Sequence, residues 1–218
     1  MLIQNQIKVF TELYNVSRET IERLSVYEKL IIQEQKKYSL VGVSTLDNIW
    51  LRHFADSAKI FNIIKDLCLI SKKNIYSFAD IGSGAGFPGA VISIMAEAEN
   101  IPINTVLFDS NKKKCSFLRI VKKELQLPYN VLNKRSEDIR EKFDIIASRA
   151  VTSLGNFLKS NYNIIAKDSN LIVLKGKTWT QEVKESKKKW KFKLNVVKNN
   201  IQLDSSGGVT LIIRNLEK

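Results

Sequence analysis

The N-terminal third of the chain carries apolar residues at helical spacing. One stripe, with members three or four residues apart, comprises Ile3, Ile7, Phe10 and Tyr14. The helical pattern continues after Ser17, residues 36–43 break it as a loop, and another helix is predicted from about Leu46 to Ile64. We therefore expect an N-terminal helical cap over residues 1–66, packed on a main domain of residues 67–218.

From residue 76 onward, short apolar runs alternate with amphipathic ones. Strands are predicted at 76–81, 103–108, 129–132, 143–147 and 170–174. Alternating strands and helices predict a parallel sheet. Two further strands, 192–197 and 209–213, are joined by a predicted turn at 205–208 and make the last strand antiparallel. The fold class is therefore α/β, with a mostly parallel, Rossmann-like sheet.

A glycine loop follows the first predicted strand. It has the pattern Asp80-x-Gly82-x-Gly84-x-Gly86-Phe87-Pro88, and a helix over residues 90–96 comes next. Glycine permits positive φ and lets a ligand lie against the main chain. The free N–H groups at the start of the helix are expected to face an anionic group of that ligand. An ordinary strand-to-helix turn has the same pattern.

The spacing after this strand distinguishes between two cofactors. A dinucleotide fingerprint needs glycine where Phe87 stands, whereas the observed spacing resembles the first motif of S-adenosylmethionine (SAM) methyltransferases. Asp109 ends the next predicted strand, where a carboxylate can accept both ribose hydroxyls of an adenosine. Asp109 could instead be a helix N-cap, because Ser110 and Asn111 open a helix. The glycine loop favours the ribose role.

Two later loops add candidates at the same edge of the sheet. Ser136 and Glu137 follow the third strand and suit an adenine edge, although a solvated acidic turn is the alternative. Arg149 follows the fourth strand and could clamp a phosphate or stack on a base. A salt bridge from Arg149 to Glu137 or Asp138 is the structural alternative.

The only histidine, His53, lies one helical turn from Asp56. Most lone histidines only form a hydrogen bond with a partner near the core. Because no serine or cysteine nucleophile motif accompanies His53, a hydrolytic triad is not expected.

Composition narrows the class of partner. Lys and Arg number 35 against 22 Asp and Glu, which gives a net charge of +13 and a pI of about 9.7. This excess indicates a polyanionic partner such as RNA, although a lysine-rich solvated surface gives the same count. Cys68 and Cys115 lie too far apart in sequence for a disulfide framework or a metal cluster. No membrane span or secretory pattern is found, so we expect a cytoplasmic protein, and a monomer.

Several short sequence motifs together resemble one family, the bacterial RsmG (GidB) methyltransferases, which methylate N7 of a guanine in 16S ribosomal RNA. They are an Arg-His-x-x-Asp-Ser run at 52–57, the glycine loop at 80–89, Leu-Phe-Asp-Ser at 107–110 with Phe-Leu-Arg at 117–119, Ser-Arg-Ala at 148–150 and Leu-Lys-Gly at 174–176. The resemblance implies a class I SAM-dependent methyltransferase that acts on 16S rRNA or the small ribosomal subunit, without metal or membrane.

The resemblance also assigns residues. The cofactor residues it implies, with the rest of the glycine loop and the ribose candidate added, are Asp80, Gly82, Gly84, Gly86, Phe87, Asp109, Ser136, Glu137 and Arg149. Candidates for RNA binding are Arg52, His53, Lys175, Lys188 and Lys189. Phe87 replaces the family's common Leu, and residues 39–42 replace its usual Asn-Leu-Thr, so an RNA contact in that loop has no support.

Guanine N7 carries an unprotonated lone pair, so in-line attack on an activated methyl group needs no general base. We expect no acid–base catalytic residue, with Arg149 and His53 as positioning candidates. Two alternatives remain: a non-catalytic RNA-binding assembly factor that keeps the fold, and a SAM methyltransferase acting on another RNA or a small molecule.

Overall fold

The N-terminal helices are longer than their pattern suggests. The computed structural model describes residues 3–71, 73–149, 152–198 and 208–218. Its first helices are α1 (Ile3–Tyr14), α2 (Arg18–Tyr38), α3 (Val43–Leu46) and a π-helical turn (Trp50–Phe54) that runs into α4 (Ala55–Ser71). The Ser17 hydroxyl accepts the Thr20 N–H at 3.1 Å and caps α2, so the helical pattern is interrupted between α1 and α2. The predicted loop at 36–43 is wrong at its start, because α2 continues to Tyr38 and ends at Ser39 in the left-handed region.

The main domain is one seven-stranded sheet. In chain order its strands are β1 (Tyr76–Ile81), β2 (Ile103–Phe108), β3 (Asn130–Leu132), β4 (Phe143–Arg149), β5 (Ile165–Lys175), β6 (Lys191–Lys198) and β7 (Val209–Glu217). In space the order is β3-β2-β1-β4-β5-β7-β6; β7 pairs antiparallel with both β5 and β6, and the other strand pairs are parallel. This confirms the predicted sheet and the closing strand pair. Residues 205–207 of the predicted turn lie outside the described residues.

Helices alternate with these strands. They are α5 (Gly89–Ala98), α6 (Lys112–Glu124), α7 (Leu154–Asn161) and α8 (Trp179–Ser186). The fifth strand begins earlier than predicted, because Ile165 already pairs with Phe143 of β4. An irregularity in the pairing follows, and the next pair is Asn170 with Ile145. Pro88 occupies the N-cap of α5, one position before the first helical turn.

Two apolar cores cover the two faces of the sheet. One contains Phe78, Ile92 and Phe117 together with Phe10 and Trp50 from the N-terminal helices. The other lies under α7 and α8. The N-terminal helices therefore complete one core layer of the sheet, and α4 crosses residue 66. The division into 1–66 and 67–218 stays a prediction. Among the described residues, no helix is long and apolar enough to cross a membrane.

Candidate active site at the carboxyl edge of the sheet

A cleft of about 880 Å³ opens at the carboxyl ends of β1, β2 and β4. Between β1 and β4 the strand order reverses, which is where open α/β sheets bind ligands. The walls of the cleft come from the glycine loop, residues 40–42, the end of β2, the turn at 134–137 and α7. The predicted cofactor residues that line it are Gly82, Gly84, Phe87, Asp109, Ser136, Glu137 and Arg149.

Two glycines of the loop are constrained in different ways. Gly84 has φ +59°, and a Cβ there would meet no atom closer than 3.8 Å, so this position leaves space in the cleft. Gly86 has φ +99°, and a Cβ would lie 2.3 Å from the Tyr27 hydroxyl and 2.9 Å from the Ala90 Cβ. Gly86 is therefore packed beneath the loop, against α2, and is not among the residues that line the cleft.

Asp80 also lies behind the loop. Its side chain is fully buried, and its Oδ2 accepts the Gly89 N–H at 2.9 Å. Burial raises the pKa of Asp80 to about 7, against the lowering effect of the Gly89 hydrogen bond. The expectation that N–H groups at the start of the helix face a ligand is wrong for Gly89, because the Asp80 carboxylate is its partner. A direct contact of Asp80 with a cofactor stays a prediction.

Asp109 fastens the glycine loop to the end of β2. Its Oδ2 accepts the Gly84 N–H at 2.8 Å, and its Oδ1 accepts the Asn111 N–H at 2.7 Å. The alternative that Asp109 caps α6 is wrong, because Asn111 is the N-cap and accepts the Lys113 N–H at 2.9 Å. Asp109 thus presents a carboxylate in the cleft wall while it holds the loop in place.

The turn after β3 is held from the side of α7. Asn163 donates through Nδ2 to the carbonyl oxygens of Ser136, at 2.8 Å, and Ile139, at 2.6 Å. The Ser136 hydroxyl is buried and lies 3.3 Å from the Ser160 carbonyl, whereas Glu137 is exposed. The turn therefore presents backbone groups to the cleft, together with the Glu137 carboxylate, whose Oε2 lies 3.4 Å from the Ser136 hydroxyl.

Arg149 and His53 meet at the end of the cleft. The Arg149 guanidinium bonds His53 Nδ1 through Nη2, donates to the Arg52 carbonyl at 3.2 Å, and lies 5.1 Å from the Phe87 ring centroid. The His53 ring stacks on Phe87, with centroids 4.8 Å apart and planes 13° apart. The predicted salt bridge from Arg149 to Glu137 or Asp138 is wrong; the anionic partner is Asp56, at 3.8 Å.

Burial lowers the pKa of His53 to about 3, and the positive charges of Arg149 and Arg52 act in the same direction. The imidazole is therefore neutral at physiological pH. With only 7% of its surface exposed, His53 belongs to the wall of the cleft.

The remaining RNA candidates do not converge on the cleft. Lys175 is buried, bonds the Thr152 carbonyl, and pairs with Glu182 at 2.8 Å. Lys188 and Lys189 are exposed just after α8, away from the residues that line the cleft. Of these candidates only Arg52 is close to the cleft. Its side chain is exposed on the π-helical turn, and its carbonyl accepts a hydrogen bond from Arg149, which lines the cleft.

Sequence reasoning missed several residues of the cleft wall. They are Lys114, Lys134, Arg135 and, on α7, Asn156, Phe157 and Asn161. Lys134 and Arg135 directly follow β3, so the rule that selected Ser136 could have found them. Within the described ranges, no group of three or more His, Cys, Asp or Glu side chains could hold a metal ion.

The sequence of this chain matches a family model and several known proteins. A family model described as rRNA small subunit methyltransferase G (GidB) matches residues 20–207. A ribosomal RNA small subunit methyltransferase G from Paramagnetospirillum magneticum is 33% identical over 205 residues, which is 93% of this chain and 92% of that protein. Its counterpart from Bartonella tribocorum is 36% identical over 196 residues, 88% and 86% of the two chains.

A solved structure resembles the fold. M. jannaschii TYW2 in complex with AdoMet matches with a TM-score of 0.51 and 16% identity, over 72% of this chain and 76% of that one. At this identity the likeness concerns the fold alone, and it agrees with the predicted Rossmann-like class.

Proposed function

Because this chain belongs to the rRNA small subunit methyltransferase G (GidB) family, we propose that it methylates N7 of a guanine in 16S ribosomal RNA. Membership of the family makes the chain a SAM-dependent rRNA methyltransferase. The position of the methyl group and the manner of its transfer are the parts that we propose. We further propose that the enzyme acts in the cytoplasm as a monomer, on 16S rRNA or the small ribosomal subunit.

The residues of the cleft fit SAM. The volume of the cleft, about 880 Å³, is within the usual range for small-molecule sites. We assign Asp109 to the ribose hydroxyls, because its fixed carboxylate still has free lone pairs after accepting two backbone N–H groups. The 136–137 turn suits an adenine edge. The Arg149 guanidinium suits the carboxylate of the methionine part.

When bound, SAM supplies a methyl group that is already activated by positively charged sulfur. The work left to this chain is therefore alignment and the exclusion of water. Phe87 and the His53 ring stacked on it form an apolar wall beside Arg149. We propose that this wall keeps water from the reacting atoms, while Asp109 holds the ribose and Arg149 the methionine carboxylate of the cofactor.

One observation carries the choice of guanine N7. Both ring nitrogens of the only histidine are engaged, Nε2 with Thr45 at 2.9 Å and Nδ1 with Arg149. His53 is therefore not free to remove a proton from a substrate. Guanine N7 has no proton to remove at neutral pH, so it suits a cleft whose imidazole is already occupied.

The exposed cations support a polyanionic substrate. Arg52 lies beside the cleft, and Lys188 and Lys189 follow α8 at the surface. We propose that these three contact RNA, the lysines through phosphates without sequence preference. Lys175, whose ammonium is already paired with Glu182, would act on RNA only through the position of its neighbours.

The test is a methyl-transfer assay with labelled SAM on small ribosomal subunits from cells that lack this enzyme. We expect label in 16S rRNA, at one guanine that becomes sensitive to borohydride and aniline cleavage, the chemistry specific to N7-methylguanine. The matched control is Gly84→Leu, which fills the open position of the cleft.

Label in rRNA without a new cleavage site would refute N7 as the target. RNA binding without any transfer would support the assembly-factor alternative. Transfer to small molecules alone would support the other alternative.

A further inference from the structure

A chain of hydrogen bonds links two walls of the cleft. Arg149 bonds His53 Nδ1, His53 Nε2 lies 2.9 Å from the Thr45 Oγ1, and that hydroxyl donates to the Gly42 carbonyl at 2.7 Å. Arg149 lies at the end of β4, whereas Gly42 belongs to the 40–42 segment that lines the cleft from the N-terminal side. The bond between Arg149 and His53 thereby connects residues that are 96 positions apart in sequence.

We propose that His53 is a positioning residue: as a neutral hydrogen-bond acceptor it fixes the Arg149 guanidinium at the cleft, and through Thr45 it ties that guanidinium to the 40–42 segment. The proposal rests on the assignment of Arg149 to SAM made above. It gives His53 a role other than RNA contact, one that follows from what its two ring nitrogens touch.

The two ends of the chain fix the direction of every bond in it. A guanidinium has only donors, so His53 Nδ1 must be an acceptor without a proton. A carbonyl has only lone pairs, so the Thr45 hydroxyl must donate its single proton to Gly42. Thr45 Oγ1 must then accept from His53 Nε2–H. Only the neutral Nε2–H tautomer satisfies both neighbours.

The charges around the ring support the same state. The positive charges of Arg149 and Arg52 both act on His53, and Asp56 pairs with Arg149. Burial and both arginines hold the pKa of His53 far below its usual value. A protonated ring would lose its acceptor and repel Arg149, so the Arg149 contact exists only with neutral His53.

The alternative is that His53 only packs, as a flat ring on Phe87. The two roles make different demands on a substitute. A packing role needs any flat ring, whereas the positioning role needs an acceptor at the place of Nδ1. Asn offers an oxygen near Nδ1, Gln offers an amide near Nε2, and Phe offers the ring without polar atoms.

The first experiment reads the tautomer. Because the chain has one histidine, long-range ¹H–¹⁵N spectra of the ring need no assignment. We expect a single Nε2–H tautomer that does not titrate between about pH 5 and 8. An Nδ1–H tautomer, or titration at the usual histidine pKa, would overturn the proposal whatever the enzyme methylates.

The second experiment measures SAM affinity by isothermal titration for His53→Asn, His53→Gln and His53→Phe, each checked by thermal melting. We expect His53→Gln and His53→Phe to weaken SAM binding by about tenfold or more, because Arg149 loses a charge-assisted bond. His53→Asn should keep the affinity within about threefold of the wild type. Thr45→Val, which leaves Nδ1 in place, should weaken binding less than His53→Gln does.

If His53→Phe binds SAM as the wild type does and His53→Asn binds it poorly, His53 is a packing residue and the proposal is wrong. Failure of the N7 assay leaves these affinities unaffected, so the two proposals fail independently. Should Arg149→Gln bind SAM normally, the assignment of Arg149 fails and the positioning role falls with it.

Discussion

Replacing Asp109 by Asn tests how the cleft is assembled. In the wild type each carboxylate oxygen accepts one backbone N–H, from Gly84 at 2.8 Å and from Asn111 at 2.7 Å. Asn has one oxygen, so one N–H loses its acceptor and instead faces an amide NH₂. Hydrogen bonds to charged groups contribute about 1.5–3 kcal/mol each. We expect the free energy of unfolding to fall by about 2 kcal/mol, which lowers Tm by about 4–8 °C in a domain of this size.

The assay is urea unfolding without cofactor, followed by calorimetric titration with SAM. If Asp109 also accepts the ribose hydroxyls, SAM affinity should fall by about tenfold or more. The matched control is Asp138→Asn, which makes the same change of charge at an exposed position of the same edge. An Asp109→Asn protein with the wild-type urea midpoint would refute the structural role. Unchanged SAM affinity would refute the ribose assignment.

Three further predictions follow from buried contacts and surface charge. Gly86→Ala should lower the free energy of unfolding by about 2–4 kcal/mol, because its Cβ would overlap α2 at positive φ, and urea unfolding measures it. The Lys175–Glu182 pair should stabilise the protein at neutral pH. Although burial acts in the opposite direction, the hydrogen bonds from Lys175 and the backbone hold the pKa of Glu182 below its ordinary 4.5, so this stabilisation is present above pH 4.5 and is lost as pH falls through the lowered value. Lys175→Met should therefore cost about 2 kcal/mol at neutral pH and less once the pH falls below the lowered pKa of Glu182, and a loss that stays constant through that titration would contradict the pair. Replacing Lys188 and Lys189 by Ala should weaken RNA binding and reduce its salt slope by about 1 to 2; an unchanged slope would show that these lysines are only solvated.

The amino-acid sequence by itself determined the sheet, the glycine loop and the acid after the second strand. Each of these features follows from a short local sequence pattern: apolar runs of strand length, glycines at alternate positions, and a carboxylate at a strand end. Because carboxyl ends of parallel strands meet at one edge, these patterns were enough to bring Gly84 and Asp109 together. Their 2.8 Å contact is the structural outcome of that rule.

The tertiary structure alone decided what each side chain touches. Asp80 and Gly86 belong to the glycine pattern, yet packing of α2 and α5 places both behind the loop. Arg149 could have paired with the acids of the neighbouring turn, but it contacts His53 of the π-helical turn and Asp56 at the start of α4. Periodicity reports which face of an element is buried and carries no information on which distant element covers it. Partners separated by long stretches of chain are selected by the packing of whole elements, and so the histidine's role became visible only in three dimensions.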